Sequence, residues 1–84
     1  MAEQHELKSW PEYFDPVLAY KKEFDLRRDD RKPRFEVLDV VVLKEYDPKA
    51  RVYTGRECFR QILYILRNAE RVGLPEGFCI LGFC

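Results

Sequence analysis

The feature that most restricts the fold of this chain is a nearly continuous apolar segment at residues 37–43, which reads Val-Leu-Asp-Val-Val-Val-Leu. β-Branched side chains favour extended backbone, and an apolar run of this kind is typical of a strand that is covered on both faces. A chain of 84 residues has room for a single core. The segment therefore predicts the central strand of a one-domain structure, continuing through residues 44–46.

Several other segments have the composition of strands, because they alternate polar and apolar side chains or are rich in β-branched and aromatic residues. They lie at residues 5–9, 22–27, 52–54 and 78–83. Residues 47–51 carry Asp and Pro, which predicts a turn and therefore a hairpin. Residues 28–34 and 68–77 are predicted loops because of their charge density or their Gly and Pro.

Residues 10–20 predict a short helix, with Ser9 as its N-cap and Pro16 as the point where it would split. Trp10 is interpreted as a staple at the helix entrance rather than as a stacking platform. Residues 56–66 fit either a helix or a strand by periodicity alone. Four apolar side chains recur at helical spacing and are expected to face the core: Tyr13, Phe14, Val17 and Leu18.

Together these segments predict an α+β fold. The chain is expected to form a single domain over residues 1–84, with about five mostly consecutive strands and one or two short helices. Such an inventory favours a small curled sheet or barrel.

Charge and hydropathy exclude several classes of protein. Fifteen basic and fifteen acidic residues cancel, which argues against a protein that coats polyanions with its whole surface but permits a local basic patch. No apolar stretch approaches the roughly 18 residues that a membrane helix needs, and the N-terminus has no signal-like segment. We therefore expect a soluble, cytoplasmic protein. Neither a Gly-x-Gly-x-x-Gly nor a P-loop sequence is present, and no cofactor is predicted.

The three cysteines, Cys58, Cys79 and Cys84, lie among apolar residues. An odd number of cysteines without a Cys-x-x-Cys pair does not predict a disulfide framework. The single histidine, His5, is far from them in sequence, so no metal site is predicted. The thiols are expected to be buried like small apolar side chains, except for a free and partly exposed thiol at Cys84.

Residues 20–34 have a local excess of three positive charges in a chain with no net charge. Cations on an exposed strand and loop can hold phosphates, and nearby tyrosines can stack on bases, the candidates being Tyr13, Tyr20 and Tyr46. The alternative interpretation is a solvated surface on which arginines pair with aspartates, each pair contributing about 0–1 kcal/mol.

Within this region, residues 22–27 alternate polar and apolar side chains. The alternation places Phe24 and Leu26 on one face of a half-buried strand and Asp25 and Arg27 on the other. Asp25 can orient Arg27 toward a phosphate or a base edge, or accept a hydrogen bond from an amino group. An ion-pair ladder on the sheet surface is the alternative.

A series of short fragments occurs in order along the chain. They are His-Glu-Leu-Lys at 5–8, Trp-Pro-Glu-Tyr-Phe at 10–14, Lys-Lys-x-Phe-Asp-Leu-Arg at 21–27, Asp-Arg at 30–31, Val-Leu-Asp at 37–39, Glu-Tyr-Asp at 45–47 and Tyr-Thr-Gly-Arg at 53–56. In this combination the chain resembles a small ASCH-type domain of the PUA-like superfamily. More narrowly, it resembles a bacterial and phage branch whose function is largely unassigned.

The resemblance implies a β-barrel of five or six strands with short helices, in which residues 56–66 form a strand. It also implies a cleft at the usual signature Gly-x-Lys-x-x-Glu-x-Arg, with RNA or a modified nucleoside as ligand. This chain has Tyr20 in place of the Gly and Asp25 in place of the Glu, and Leu38 replaces the Gly that usually precedes the Asp of the following strand. A phenol ring in place of glycine is expected to narrow the cleft.

One enzymatic branch of the superfamily hydrolyses the acetyl amide of a modified cytidine with a Lys, a nearby Thr and a distant Glu. Lys22 fits the Lys, but Asp25 falls where the Thr would be, and residues 10–53 contain no hydroxyl side chain except tyrosines. Because that chemistry needs an activated hydroxyl, the sequence does not predict it. Another branch cleaves RNA, and the candidate catalytic residues for such a reaction are His5 and Asp25.

The leading hypothesis is an RNA-binding domain that holds RNA or a modified nucleoside in a basic, tyrosine-lined cleft. Its predicted binding residues are Lys8, Lys22, Asp25, Arg27, Arg28, Tyr46 and Arg56. One alternative is an RNA- or nucleoside-processing hydrolase that uses the same cleft. The other is a protein-interaction module of the phage or plasmid type, which would carry an exposed apolar patch away from the cleft.

Overall fold

The computed structural model describes residues 2–83, so the predicted thiol of Cys84 lies outside the described residues. Its elements follow in this order: β1 Gln4–Ser9, α1 Pro11–Leu18, β2 Phe24–Arg28, β3 Val40–Asp47, β4 Val52–Leu66, a 3₁₀ turn Glu70–Val72 and β5 Phe78–Phe83. Every predicted strand is present, but β3 begins at Val40 and not at Val37, since Val37 and Leu38 lie exposed in a turn, and β2 begins at Phe24 and not at Lys22. The ambiguous segment 56–66 is extended and belongs to β4.

The strands form a mixed sheet in the order β1-β3-β4-β5-β2. β1 runs parallel to β3, and the other neighbours are antiparallel. Strand β4 joins the two halves of the sheet, because it pairs with β3 as far as Gln61 and with β5 from Ile62 onward. Shifts of register between Lys44 and Tyr46, and just after Ile62, mark irregularities of the kind that bend and twist strands.

The predicted α+β fold with a small PUA-like barrel is wrong. Within residues 2–83 the sheet is open, with β1 and β2 as its edges, and α1 is the only α-helix. A closed barrel needs a continuous backbone ladder, whereas here side chains of β2, among them Asp25 and Arg27, line a cavity between the edges. Across the gap, Nη2 of Arg27 donates to the backbone oxygen of Lys8 at 2.9 Å.

Strand β3 lies inside the sheet, as the continuous apolar segment predicts. Val41, Val42 and Leu43 are all buried, so both faces of the strand are covered. Helix α1 packs on β3 and β4 through Phe14 and Val17. No helix within residues 2–83 has both the length and the apolar character needed to cross a membrane.

The start of α1 differs from the prediction. Ser9 is buried as the last residue of β1, where it pairs with Glu45 of β3, so it does not cap the helix. The N-cap is Trp10, which makes no side-chain capping bond, and Pro16 lies inside the helix without splitting it. Half of the predicted apolar face is buried and half is exposed, the buried pair being Phe14 and Val17 and the exposed pair Tyr13 and Leu18.

Strand β2 alternates as predicted, but its apolar face is the outer one. Phe24 and Leu26 are 51% and 50% exposed, whereas Asp25 is only 7% exposed. The reason is the pairing with β5, which sets Asp25 opposite Leu81, a core residue. Side chains directly opposite each other share a face of the sheet, so Asp25 and Arg27 are turned inward, whereas Phe24, Leu26 and Arg28 lie on the outer face.

Candidate functional site

Lys8 lines two cavities among the described residues. The first, which we call the edge cavity, has a volume of about 260 Å³ and is lined by residues of β1, α1 and β2: Lys8, Ser9, Trp10, Tyr13, Asp25, Leu26 and Arg27. The second, which we call the hairpin cavity, has a volume of about 370 Å³ and is lined by residues of β1, β3 and β4: Glu6, Leu7, Lys8, Lys44, Glu45, Tyr53, Gly55, Arg56 and Glu57.

Asp25 organises the charges of the edge cavity. Its Oδ1 accepts a hydrogen bond from Nζ of Lys22 at 3.2 Å, and its Oδ2 accepts one from Nε of Arg27 at 2.7 Å. Arg27 is also bound to the backbone of Lys8, so its guanidinium is held across the gap between the sheet edges. Each carboxylate oxygen has a second lone pair, and Nη1 of Arg27 is a further donor. The group can therefore both donate to and accept from a ligand.

Exposed aromatic side chains line the edge cavity. Trp10, interpreted above as a staple, is 45% exposed and lines the cavity together with the exposed ring of Tyr13. The ammonium group of Lys22 lies 5.3 Å from the centre of the Tyr13 ring, within the range of a cation–π interaction. Exposed aromatic faces next to a charged cluster suit the binding of a planar polar group.

The hairpin cavity has a different electrostatic arrangement. Glu45 is buried and accepts hydrogen bonds from Nε and Nη2 of Arg56 at 2.9 Å and from the hydroxyl of Thr54 at 2.7 Å. These bonds, with Arg56 as the main cause, lower the pKa of Glu45 to about 2. Arg56 also donates to Asp15. The predicted RNA-binding residue Arg56 is thus held by two carboxylates of the protein itself.

Three further predicted residues lie outside the edge cavity. The guanidinium of Arg28 lies 4.8 Å from the ring of Phe78. Tyr46 lines neither cavity, and Nζ of Lys8 lies 4.2 Å from its ring. Tyr20, expected to narrow the cleft, is exposed, and the guanidinium of Arg60 lies 4.4 Å from its ring. Tyr20 lines neither cavity.

His5, a candidate catalytic residue, is buried in the core, where its ring lies 4.7 Å from that of Phe35. Its Nε2 donates to Oδ2 of Asp39 at 2.8 Å. Asp39 also accepts from the backbone N–H groups of Glu3 and Glu36. Burial raises the pKa of Asp39, but the three hydrogen bonds outweigh it and leave the pKa below its usual value. The structure therefore does not bring His5 together with Asp25.

Part of the positive charge of residues 20–34 is used in internal contacts. Asp29 accepts from Nε of Arg67 at 2.6 Å and from Arg34 at 3.2 Å, and Arg67 also donates to the backbone oxygen of Phe35. The hydrogen bond from Arg67 is the main reason that the pKa of Asp29 is lowered. Sequence analysis did not identify Arg67, because nothing in its local pattern indicates a partner so distant in the chain.

Three residues that line the edge cavity were not predicted as binding residues: Ser9, Trp10 and Leu26. The proline after Trp10 indicated a helix entrance, and the apolar character of Leu26 indicated a core position. Within the described part of the chain, no cluster of three His, Cys, Asp or Glu side chains is placed to hold a metal ion.

Comparison with known proteins adds a family but no activity. No curated protein matches the chain. A family model described as a domain of unknown function, DUF3850, matches residues 4–83, which include all five strands and the helix. The chain therefore belongs to the DUF3850 family.

Proposed function

We propose that this protein is an RNA-binding domain related to the ASCH-type domains, and that the edge cavity holds one unpaired base of RNA or a modified nucleoside. The observation that carries the proposal is the combination of an inward-facing carboxylate, Asp25, with the exposed rings of Trp10 and Tyr13 around one small cavity. Pockets for drug-sized ligands measure about 300–1,000 Å³. A cavity of about 260 Å³ suits a single planar group.

The chemistry of the cavity fits the recognition of single-stranded RNA. Sequence-specific RNA readers stack splayed bases on aromatic side chains and form hydrogen bonds with the base edges. Trp10 and Tyr13 supply the stacking surface, and Asp25 with Arg27 supplies acceptors and donors. Lys8, at the rim, supplies a cation for the phosphate backbone.

The backbone supports the proposed relation to ASCH-type domains. Two of the departures from that family's pattern are Tyr20 and Leu38, each in place of a glycine. Both residues have positive φ, 60° for Tyr20 and 80° for Leu38. Few side chains adopt this conformation readily, and glycine is the residue that does so at no steric cost. The chain thus keeps the backbone shape that a glycine would allow at both positions.

The proposed binding surface is narrower than the one predicted from the sequence. We retain Lys8, Lys22, Asp25 and Arg27, which lie at or next to the edge cavity. Arg56 contributes little to RNA binding in this proposal, because Glu45 and Asp15 already neutralise it.

The test is a binding titration with fluorescent single-stranded RNA at low and at physiological salt. We expect the wild type to bind and the variant Lys22→Ala/Arg27→Ala to lose about 10-fold to 100-fold in affinity, as expected for the loss of one hydrogen bond to a charged group, which contributes about 1.5–3 kcal/mol. Wild-type affinity should fall as salt rises. The same samples are run on a denaturing gel, where shortened RNA would indicate a hydrolase instead of a binding domain.

The matched control is Lys49→Ala/Arg71→Ala, which removes one lysine and one arginine from exposed positions outside both cavities. It should bind RNA almost as well as the wild type. Equal losses in the two double variants would mean that net charge, and not the edge cavity, determines binding. No binding by the wild type would exclude the proposed function.

One observation favours a second candidate function, binding of another protein. The outer face of β2, β5 and β4 carries exposed Phe24, Leu26 and Tyr64, with half-buried Ile80 between them. Contiguous apolar patches of a few hundred Å² often mark interaction sites. A protein complex that persists at high salt and is lost in Tyr64→Glu, with RNA binding unchanged, would support this function.

A further inference from the structure

The edge cavity is bounded by main chain as well as by side chains, because β1 and β2 are both unpaired on the sides that face it. In an antiparallel ladder, alternate residues point both of their backbone polar groups at the partner strand, and the residues between them point both groups away. Hydrogen bonds formed by residues next to each strand show whether its odd- or even-numbered residues point their backbone N–H and C=O away from the neighbouring strand.

On β2 the free set contains the even-numbered residues. Glu23 accepts from the N–H of Phe83 at 2.9 Å, and the N–H of Asp29 donates to Gly77 at 2.8 Å. Odd-numbered residues therefore form the bonds to β5, as do Asp25 and Arg27 between them. Leu26 directs its N–H and its C=O away from β5, and Leu26 is the even-numbered residue of β2 that lines the edge cavity.

On β1 the even-numbered residues are again the free set. The N–H of Val40 donates to the oxygen of Glu3 at 2.9 Å, which in a parallel ladder assigns the odd-numbered residues of β1 to β3. Lys8 then faces the gap with its backbone groups. Its oxygen is indeed bound from that side, by Arg27. The N–H of Lys8 is left as a second main-chain donor facing the gap.

We infer that the backbone of Leu26 reads the Watson–Crick edge of an unpaired base in the edge cavity. This inference rests on the proposed function and specifies how the site recognises its ligand. In an extended residue, the N–H and C=O that point to one side lie close together and form a donor next to an acceptor. Each RNA base has neighbouring donor and acceptor atoms on its Watson–Crick edge, so such a pair can form two hydrogen bonds with it.

Two properties of the ligand follow. The base must be unpaired, because base pairing occupies the same donors and acceptors, so a double-stranded RNA cannot use the site. The contact with Leu26 must also tolerate several bases, since each of them offers a donor beside an acceptor. Discrimination among bases is then left to Asp25 and Arg27, which lie on either side of Leu26 in the strand and line the same cavity.

The first experiment is amide hydrogen exchange by NMR on the wild-type protein. In the free protein, the amides of Asp25 and Arg27 should exchange slowly, and that of Leu26 should exchange fast. The probes are four single-stranded RNA oligonucleotides, each rich in one base, and an RNA duplex of about 12 base pairs. A single-stranded probe that binds should slow exchange at Leu26 by about tenfold or more, as expected for a new hydrogen bond. The duplex should leave it unchanged.

The second experiment uses Leu26→Pro, which removes the N–H that does not pair with β5, together with an exposed side chain. Proline is tolerated on edge strands when its missing N–H faces away from the ladder. Phe24→Pro is the matched control, since it removes a free-edge N–H of the same strand outside the cavity. We expect Leu26→Pro to weaken RNA binding about tenfold and Phe24→Pro to leave it unchanged.

The outcomes separate this inference from the proposed function. RNA binding with no protection of the Leu26 amide overturns the inference and leaves the proposed function standing. Equal binding of duplex and single strand overturns the inference and also the unpaired base of the proposed function. Failure of the wild type to bind any probe overturns both. If Leu26→Pro does not fold, the exchange experiment on the wild type still decides.

Discussion

The edge cavity and the hairpin cavity are built on the same plan but differ in how their charges are used. Each contains a buried carboxylate bound by an arginine, Asp25 with Arg27 in one and Glu45 with Arg56 in the other. Lys8 lines both. In the hairpin cavity Arg56 also donates to a second carboxylate, that of Asp15. Lys44 there pairs with both Glu6 and Glu57.

In the edge cavity, within the part of the chain that the structure describes, Arg27 has one carboxylate partner, Asp25. Exposed aromatic rings take the place of the extra carboxylates, and the adjoining strand edges carry backbone groups with no ladder partner. The contrast shows that a buried ion pair is not by itself a binding site. What distinguishes the edge cavity is unused hydrogen-bonding capacity beside surfaces on which a planar ligand can stack.

The sharpest test of this contrast removes each carboxylate in turn. Asp25→Ala should weaken RNA binding about 10-fold to 100-fold, because Lys22 and Arg27 lose the acceptor that orients them. Glu45→Ala should change binding less than about twofold, although it lowers thermal stability. Fluorescence anisotropy below the melting temperature of both variants measures the difference. A larger loss in Glu45→Ala would assign the ligand to the hairpin cavity.

The aromatic residues of the two cavities provide the next comparison. Trp10→Ala should weaken binding of single-stranded RNA about tenfold, as expected for the loss of one base–aromatic stack. Tyr53→Ala, which removes an exposed ring from the hairpin cavity, should have almost no effect. Binding isotherms of the two variants with the same RNA decide, and equal effects would remove the distinction between the cavities.

Acid sensitivity tests the structural role assigned to the hairpin cavity. The pKa of Glu45 is lowered to about 2 in the folded protein, so Glu45 contributes stability above its ordinary pKa, and this contribution is lost as the pH falls toward 2. After allowance for the partly exposed Arg56, we expect about 1–2 kcal/mol to be involved.

Urea unfolding at pH 6 and at pH 3, on the wild type and on Glu45→Gln, measures this contribution. The wild type should lose more free energy of unfolding on acidification than the variant does. Asp29 and Asp39 also have lowered pKa values, so their contributions to the free energy of unfolding fall on acidification too, but equally in the wild type and in Glu45→Gln. Equal acid sensitivity of the two proteins would contradict the role of Glu45.

The smallest expected effect serves as a baseline outside both cavities. Leu38 has φ of 80° and is exposed, so Leu38→Gly relieves backbone strain of about 1–2 kcal/mol, while the more flexible unfolded chain offsets about 0.5–1 kcal/mol of the gain. We expect a slight rise in melting temperature, no rise in Leu38→Ala, and unchanged RNA binding in both. A fall in stability with Leu38→Gly would show that the side chain, not the backbone, matters at this position.

Much of the secondary structure was predictable from local patterns. The apolar segment at 37–43 led to the buried β3, the turn at 47–51 to the hairpin, and the alternation at 22–27 to β2. Local periodicity left 56–66 ambiguous, and the resemblance assigned it correctly to a strand. The barrel was wrong because closure depends on whether two edges meet, and no local pattern reports that distance.

The candidate site was predictable only in part. Lys8, Asp25 and Arg27 were expected in a common cleft and do line one cavity. Leu26 was assigned a structural position because apolar character normally indicates burial, and Trp10 because the proline after it indicated a helix entrance. Arg56 was expected to be available to phosphate, and the structure shows it bound to Glu45 and Asp15.

The sequence by itself determined which segments are extended, where the chain turns and which charges lie on the same side of β2, because these properties depend on neighbours a few residues apart. Tertiary structure decided which side of β2 faces inward. That choice comes from the pairing with β5, which places Asp25 beside Leu81 of the core and turns Phe24 and Leu26 outward. A strand's periodicity defines two faces, and only its partner in the sheet determines which of them is buried.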